Sequence, residues 1–190
     1  MPLTTISSLR IAHDPQEADR LYDVALNQVE AVAESHFTGR NFTIRDLVPS
    51  DMPGNSNNEW TETSGGTDNA YDTTTAGSGA AIADDTILCI YGVTFPTPYT
   101  AATLPVTALR FTVGASLRAQ VDLHEIVTLE QGGTGAGEAV VPRKGFLTTP
   151  IIITSQQTLK IEEYVTAASG AYQMFFHGFV AEIQGKTIEA

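Results

Sequence analysis

The chain has 190 residues, enough for one domain with a sizeable core, and sets 22 acidic against 10 basic residues for a formal net charge of −12. That balance argues against a binder of nucleic acid or of an anionic membrane surface, since both need Lys and Arg to neutralise phosphate. With 42% hydrophobic and 17% charged residues the chain can fill a core, which excludes disorder throughout, and a single cysteine, Cys89, leaves no internal disulfide and no Cys-based zinc site.

The start, Met1-Pro2-Leu3-Thr4-Thr5, has neither a basic region nor an apolar run of signal-peptide length. Apolar runs such as Ile151-Ile152-Ile153 fall far short of the roughly 20 residues that span a bilayer. The expectation is a soluble protein made in a cytoplasm, in which the sequon-like Asn41-Phe42-Thr43 is a chance match.

One helix is expected near the N-terminus, over about residues 15–35. Asp14 reads as its N-cap, Pro15 as its first residue and Glu17 as the acid of a capping box. Ala18, Leu21, Tyr22, Ala25, Val29, Val32 and Ala33 then recur at three- and four-residue spacing, and Gly39 is a plausible terminator. The narrow stripe of Ala and Val suits packing on one surface, either the chain's own β domain or the same helix of a neighbouring subunit. Phe42 to Pro49 leaves the helix as a short extended segment.

Between Arg45 and Arg110 there is no Lys or Arg, while Asp46, Asp51, Glu59, Glu62, Asp68, Asp72, Asp84 and Asp85 supply eight negative charges. Residues 53–81 show neither helical nor strand periodicity and are dominated by Gly, Ser, Thr and Asn. A stretch of that kind buries little to offset its ordering entropy, so 51–85 is expected to be a polar acidic loop or arm. Trp60 and Tyr71 lie within it, and large aromatics in a polar segment imply docking, on a partner or back onto the chain's own domain.

Strands are expected from residue 86 onward, giving a domain division of 1–50, 51–85 and a body at 86–190. Thr86 to Val93 is a continuous apolar run, and Thr107 to Val113 alternates through Leu109, Phe111 and Val113. Leu117, Ala119, Val121 and Leu123 alternate with Arg118, Gln120, Asp122 and His124, the mark of a half-buried antiparallel strand that a β-bulge could carry on to Ile126, Val127 and Leu129. A glycine-rich turn follows at 131–137, then strands at Ile151–Thr154, Thr158–Val165 and Tyr172–Ile183. Pro96, Pro98, Pro105, Pro142 and Pro150 mark strand ends or edges. With no helix-length segment between the strands, the fold class is mainly β: an antiparallel β-sandwich of jelly-roll or Greek-key type.

No catalytic constellation emerges. His124, Glu125, His177 and Asp122 contain the residue types of a cupin-like metal cluster, but neighbours on a strand point to opposite faces. The run 132–137 lacks the Gly-Lys-Ser/Thr ending of a phosphate loop, and Pro142 rather than a helix follows it. Ser116 has no glycine two residues on, so it is no nucleophile elbow. Asp68 and Asp72 lack the ligand spacing of an EF-hand, and Cys89 reads as a small buried hydrophobe. The expectation is a protein without enzyme activity, metal or cofactor.

The C-terminal third carries the most specific pattern. Gly145-Phe146-Leu147-Thr148-Thr149-Pro150-Ile151-Ile152-Ile153 leads to Leu159-Lys160-Ile161-Glu162-Glu163, and after the Ser169-Gly170 turn comes Tyr172-Gln173-Met174-Phe175-Phe176-His177-Gly178-Phe179-Val180. Together with the helix and the polar loop, this resembles the structural proteins of tailed-phage virions, in particular capsid decoration (cement) proteins, over about forty residues. The resemblance implies a protein on the capsid surface that binds the major capsid protein or another virion protein, assembles as a homo-oligomer with a trimer favoured, and bridges capsomers. Its contacts would fall in 1–50 and 51–85, with Leu21, Val29, Trp60 and Tyr71 as interface residues. Two other readings stand beside it: a receptor- or carbohydrate-binding sandwich of a phage fibre or spike, using Tyr91, Tyr99 and Tyr164, and a cupin-like metal enzyme.

Overall fold

A strand with apolar residues on both faces has to lie between two layers, and the run beginning at Thr86 is such a strand. The computed structural model describes residues 9–11, 15–55, 59–95, 105–123, 126 and 144–184. In chain order its elements are β1 (Leu9–Ile11), α1 (Pro15–His36), β2 (Phe42–Asp46), a 3-10 turn (Pro49–Asp51), β3 (Thr61–Thr63), β4 (Ala70–Ala81), β5 (Thr86–Thr94), β6 (Val106–Val113), β7 (Ser116–Asp122), β8 (Lys144–Ile153), β9 (Thr158–Val165), β10 (Ala171–Gln173) and β11 (Phe175–Ile183). Sheet I has the order β1-β8-β5-β11-β2 and sheet II the order β4-β9-β6-β7, while β3 and β10 pair separately. All pairings are antiparallel.

Setting aside β1, β3 and β10 and renumbering the other eight strands along the chain, the two sheets read 1-8-3-6 and 2-7-4-5. This is the strand order of a jelly roll, so the expected mainly-β class with one N-terminal helix holds at the level of topology. Between the sheets, β5 contributes Leu88, Ile90 and Val93, with Phe95 just beyond its end. They meet Leu109, Phe111 and Val113 of β6, Ala119 and Val121 of β7, Leu159 and Ile161 of β9 and Phe176 and Val180 of β11 in one cluster. The other face of sheet I carries Ile87, Cys89, Phe179, Ala181 and Ile183, and α1 covers it with Ala25, Val29 and Ala33, all fully buried. The small Ala and Val side chains let the helix lie close to the sheet, so the stripe seen in the sequence packs within the chain. The helix ends at His36, and in the turn that follows Gly39 has a φ of +77°, which suits glycine.

The largest correction concerns 51–85. Residues 70–81 of the expected loop form β4, a 12-residue edge strand of sheet II, and 61–63 form β3. Strand periodicity is hidden there because the ladder with β9 is interrupted: Thr73 pairs with Glu162, but Ser78 already pairs with Lys160, leaving residues 74–77 opposite one residue. Side chains replace the missing ladder. The Thr74 hydroxyl donates to the Ile161 carbonyl (3.1 Å), the Gly77 amide donates to the Thr74 hydroxyl (3.1 Å), and the amides of Thr75 and Ala76 donate to the buried Glu62 carboxylate at 3.0 and 2.8 Å. Gly77 has to be glycine, since a Cβ there would collide with the Ile161 side chain and amide. The segment 1–50 is likewise no separate unit, because β2 pairs with β11 inside sheet I.

Further details differ or sharpen. The run Tyr172–Ile183 breaks at Met174 into β10, which pairs with β3, and β11, which pairs with β5 and β2. Pro150 lies inside β8 in an irregular stretch where the β8 residues paired with β5 jump from Ile151 to Phe146, so no ladder bond is asked of it. Past the end of β7 the Ile126 amide donates to the Leu123 carbonyl (3.0 Å), and Ile126 is buried, while His124, Glu125, Val127 and Leu129 lie outside the described residues. The glycine run 131–137 and Pro96, Pro98 and Pro142 lie outside the described residues.

Candidate functional site

The acidic segment is used mostly for local structure. Asp51 takes a two-pronged bond from the Arg45 guanidinium (2.6 and 2.7 Å), which also reaches Glu182 at 3.0 Å and thereby ties β2 to the following turn and to β11. These carboxylates, Asp51 first, raise the Arg45 pKa above its ordinary value against a smaller opposing effect of burial. Asp85 pairs with Arg40 at 2.9 Å, Asp84 accepts from Gln156 (2.8 Å) and Asp68 from the Ala168 amide (2.8 Å). Glu62 and Glu163 are the charged residues buried among those described, at 5% and 1% exposure. Glu163 follows Leu159 and Ile161 on the inward phase of β9 and accepts from the Tyr172 hydroxyl and the Gly65 amide. Both carboxylates hold the β3–β10 ribbon against the sandwich. The sequence reading missed them, although a glutamate at the apolar phase of β9 was a visible signal.

Among the described residues a cleft of about 130 Å³ lies between the start of α1 and the outer face of sheet I, lined by Ala18, Asp19, Tyr22, Tyr91, Phe146 and His177. On β5, Ile90 pairs with Gly178 and Gly92 with His177, so Tyr91 is an extra residue in the ladder. Tyr91 keeps the outward phase of Ile87 and Cys89, and on the helix side its ring lies 5.2 Å from that of Phe179, 6.0 Å from Tyr22 and 6.2 Å from Phe146, the last nearly parallel at 11°. Burial first, then the neighbouring Tyr22, Asp46 and Cys89, push the Tyr91 hydroxyl up to about 12. His177 is hydrogen-bonded through Nε2 to the Thr94 hydroxyl at 2.6 Å. Asp19 makes no ion pair or hydrogen bond among the described residues. The cleft is therefore aromatic-walled and, among the described residues, carries one unmatched carboxylate and no lysine or arginine in its lining.

A second feature lies on the far side. The outer face of sheet II carries the ring pair Tyr71 and Tyr164, 5.1 Å apart, with the Arg110 guanidinium 3.6 Å from the centre of the Tyr71 ring. No described helix packs on this face.

The expected interface residues do not converge. Val29 is fully buried on the sheet-facing side of α1 and so is not a surface residue of this chain, a correction that follows from the helix packing on sheet I. Leu21 is half-buried on the same helix. Trp60 packs edge-on to Phe176 at 5.7 Å and joins the central core, so it docks within the chain, while Tyr71 lies on the outer face of sheet II. For the carbohydrate reading, Tyr91 and Tyr164 fall on opposite sides of the sandwich, and Tyr99 lies outside the described residues. For the metal reading, His177 is on the helix side of sheet I and Asp122 is exposed on β7, while His124 and Glu125 lie outside the described residues. Among the described residues no group of three His, Cys, Asp or Glu is placed to hold a metal ion, and no helix is long and apolar enough to cross a membrane. No protein-family model matches the chain, and no curated protein is similar to it.

Proposed function

We propose that this chain is a virion structural protein, a capsid decoration protein that binds a shell and bridges neighbouring capsomers. The observation that carries this reading is the jelly-roll strand order around a filled apolar interior. Such a body presents outer surfaces and sheet edges rather than a central chamber, which suits assembly more than catalysis. The acidic charge keeps the free protein soluble and away from nucleic acid. With 61–63 and 70–81 folded into the body, the shell contacts fall to its outer faces and edges rather than to an extended arm. A trimer about a symmetry axis is the favoured assembly. Cryo-imaging of candidate capsids with and without the purified protein tests this. Ordered density at fixed capsomer positions supports it, whereas protein that stays monomeric and binds no shell overturns it.

A receptor- or carbohydrate-binding role is the second reading, favoured by the Tyr71–Tyr164 pair on the uncovered face of sheet II. It requires saturable binding of an oligosaccharide that Tyr164→Ala abolishes.

A further inference from the structure

We infer that the cleft beside the start of α1 receives the guanidinium of an arginine side chain presented by a partner polypeptide. Its chemistry selects a flat organic cation. The rings of Tyr22, Tyr91 and Phe146 line it, and aromatic faces attract a cation through their quadrupoles. The carboxylate of Asp19 stands at the same cleft without a partner among the described residues, and none of the described lining residues is a lysine or arginine. An anion would meet that carboxylate, and the start of the helix is already served by Glu17 and Asp19. A purely apolar group would leave Asp19 unused. The volume of about 130 Å³ fits the head of one side chain and is well below the roughly 300–1,000 Å³ of pockets for larger ligands.

Arginine suits the walls better than lysine. A guanidinium is planar, more weakly hydrated than an ammonium, and stacks on rings while its N–H groups reach a carboxylate. The chain uses this pairing itself on its opposite face, where Arg110 lies over Tyr71. The net charge of −12 adds a long-range attraction for a basic partner segment.

The inference stands apart from the decoration reading, and its test involves no capsid. The intact protein is titrated with N-acetyl-arginine amide and, separately, with the neutral isostere N-acetyl-citrulline amide, following the NMR signals of Tyr22, Tyr91 and Phe146. Saturable shifts with the arginine compound are expected, with the citrulline compound at least about fivefold weaker. Asp19→Asn is expected to weaken the arginine compound about three- to tenfold, and Tyr22→Leu, which keeps an apolar contact with Phe179 but removes the ring, by a similar factor. Glu34→Gln, exposed near the far end of the same helix, leaves binding unchanged. Shifts that do not saturate, equal binding of the two compounds, or wild-type affinity in both Asp19→Asn and Tyr22→Leu would each overturn the assignment.

Discussion

The hydroxyl of Tyr172 donates to the carboxyl of Glu163, and through that bond the β3–β10 ribbon is fastened to the inner face of sheet II. Both residues are almost completely buried, and the Tyr172 ring lies nearly parallel to that of Phe95 at 5.4 Å. Burial pushes the Glu163 carboxyl up to about 7. The bonds from Tyr172 and Gly65 oppose this, and the nearby Glu62 and Asp72 add to it.

A stability slope follows. The folded state holds the Glu163 proton more tightly than the unfolded chain, so this group favours folding below its ordinary 4.5 and loses that contribution as pH rises through about 7. Glu163→Gln cannot ionise. At pH 5 it is expected to be less stable than wild type by about 1 kcal/mol, because an amide cannot accept from both Tyr172 and Gly65. Between pH 5 and 8 the difference should shift in the variant's favour by roughly 2 kcal/mol. Denaturant melts of both proteins across that range measure it, and parallel pH profiles would refute the prediction.

Removing the carboxylate that replaces the β4 ladder should be costly at every pH where the protein folds. Glu62→Ala leaves the Thr75 and Ala76 amides without their acceptor, for an expected loss of about 2–4 kcal/mol. Hydrogen exchange gives the local readout: the amides of Thr75 and Ala76 should lose protection before those of β5.

Gly178 faces the backbone of β5 so closely that a Cβ would land on the Cys89 carbonyl oxygen. Its own carbonyl accepts from the Leu47 amide at 3.0 Å, so the strand cannot simply move away. Gly178→Ala is expected to destabilise the protein by about 3 kcal/mol, read as a lowered denaturant midpoint.

The Cys89 thiol is fully buried beneath α1, and burial pushes its pKa up to about 12. A thiol reagent should therefore label it only when the helix lifts or the chain unfolds, with rates that rise alongside denaturant. Fast labelling of the native protein would contradict the packing of α1 on sheet I.

Much of this fold was legible because apolar period and environment agree. The run Thr86–Val93 is apolar on both phases because it lies between the core and α1, and Leu117–Leu123 alternates because one face of β7 is wet. What the sequence concealed was β4. Its inward positions are Thr74, Ala76 and Gly77, too small to register as apolar, and its missing ladder bonds are supplied by Glu62 from another element. Composition identified the segment as polar, but could not reveal that its amides had partners some fourteen residues earlier in the chain. The cleft was equally hidden, because it brings Tyr91, Phe146 and His177 from three strands together with a helix that begins some seventy residues before Tyr91.

The helix lies on sheet I alone, while no described helix covers sheet II. The molecule accordingly has a front and a back of different chemistry: an aromatic, acid-rimmed seam on one side and a wet sheet with a paired tyrosine on the other. Under the proposed decoration role, a body of that kind would bind a shell through one of these two faces. Every copy in an array would then turn the same sheet outward, and a change on one side could alter attachment without altering what the array displays.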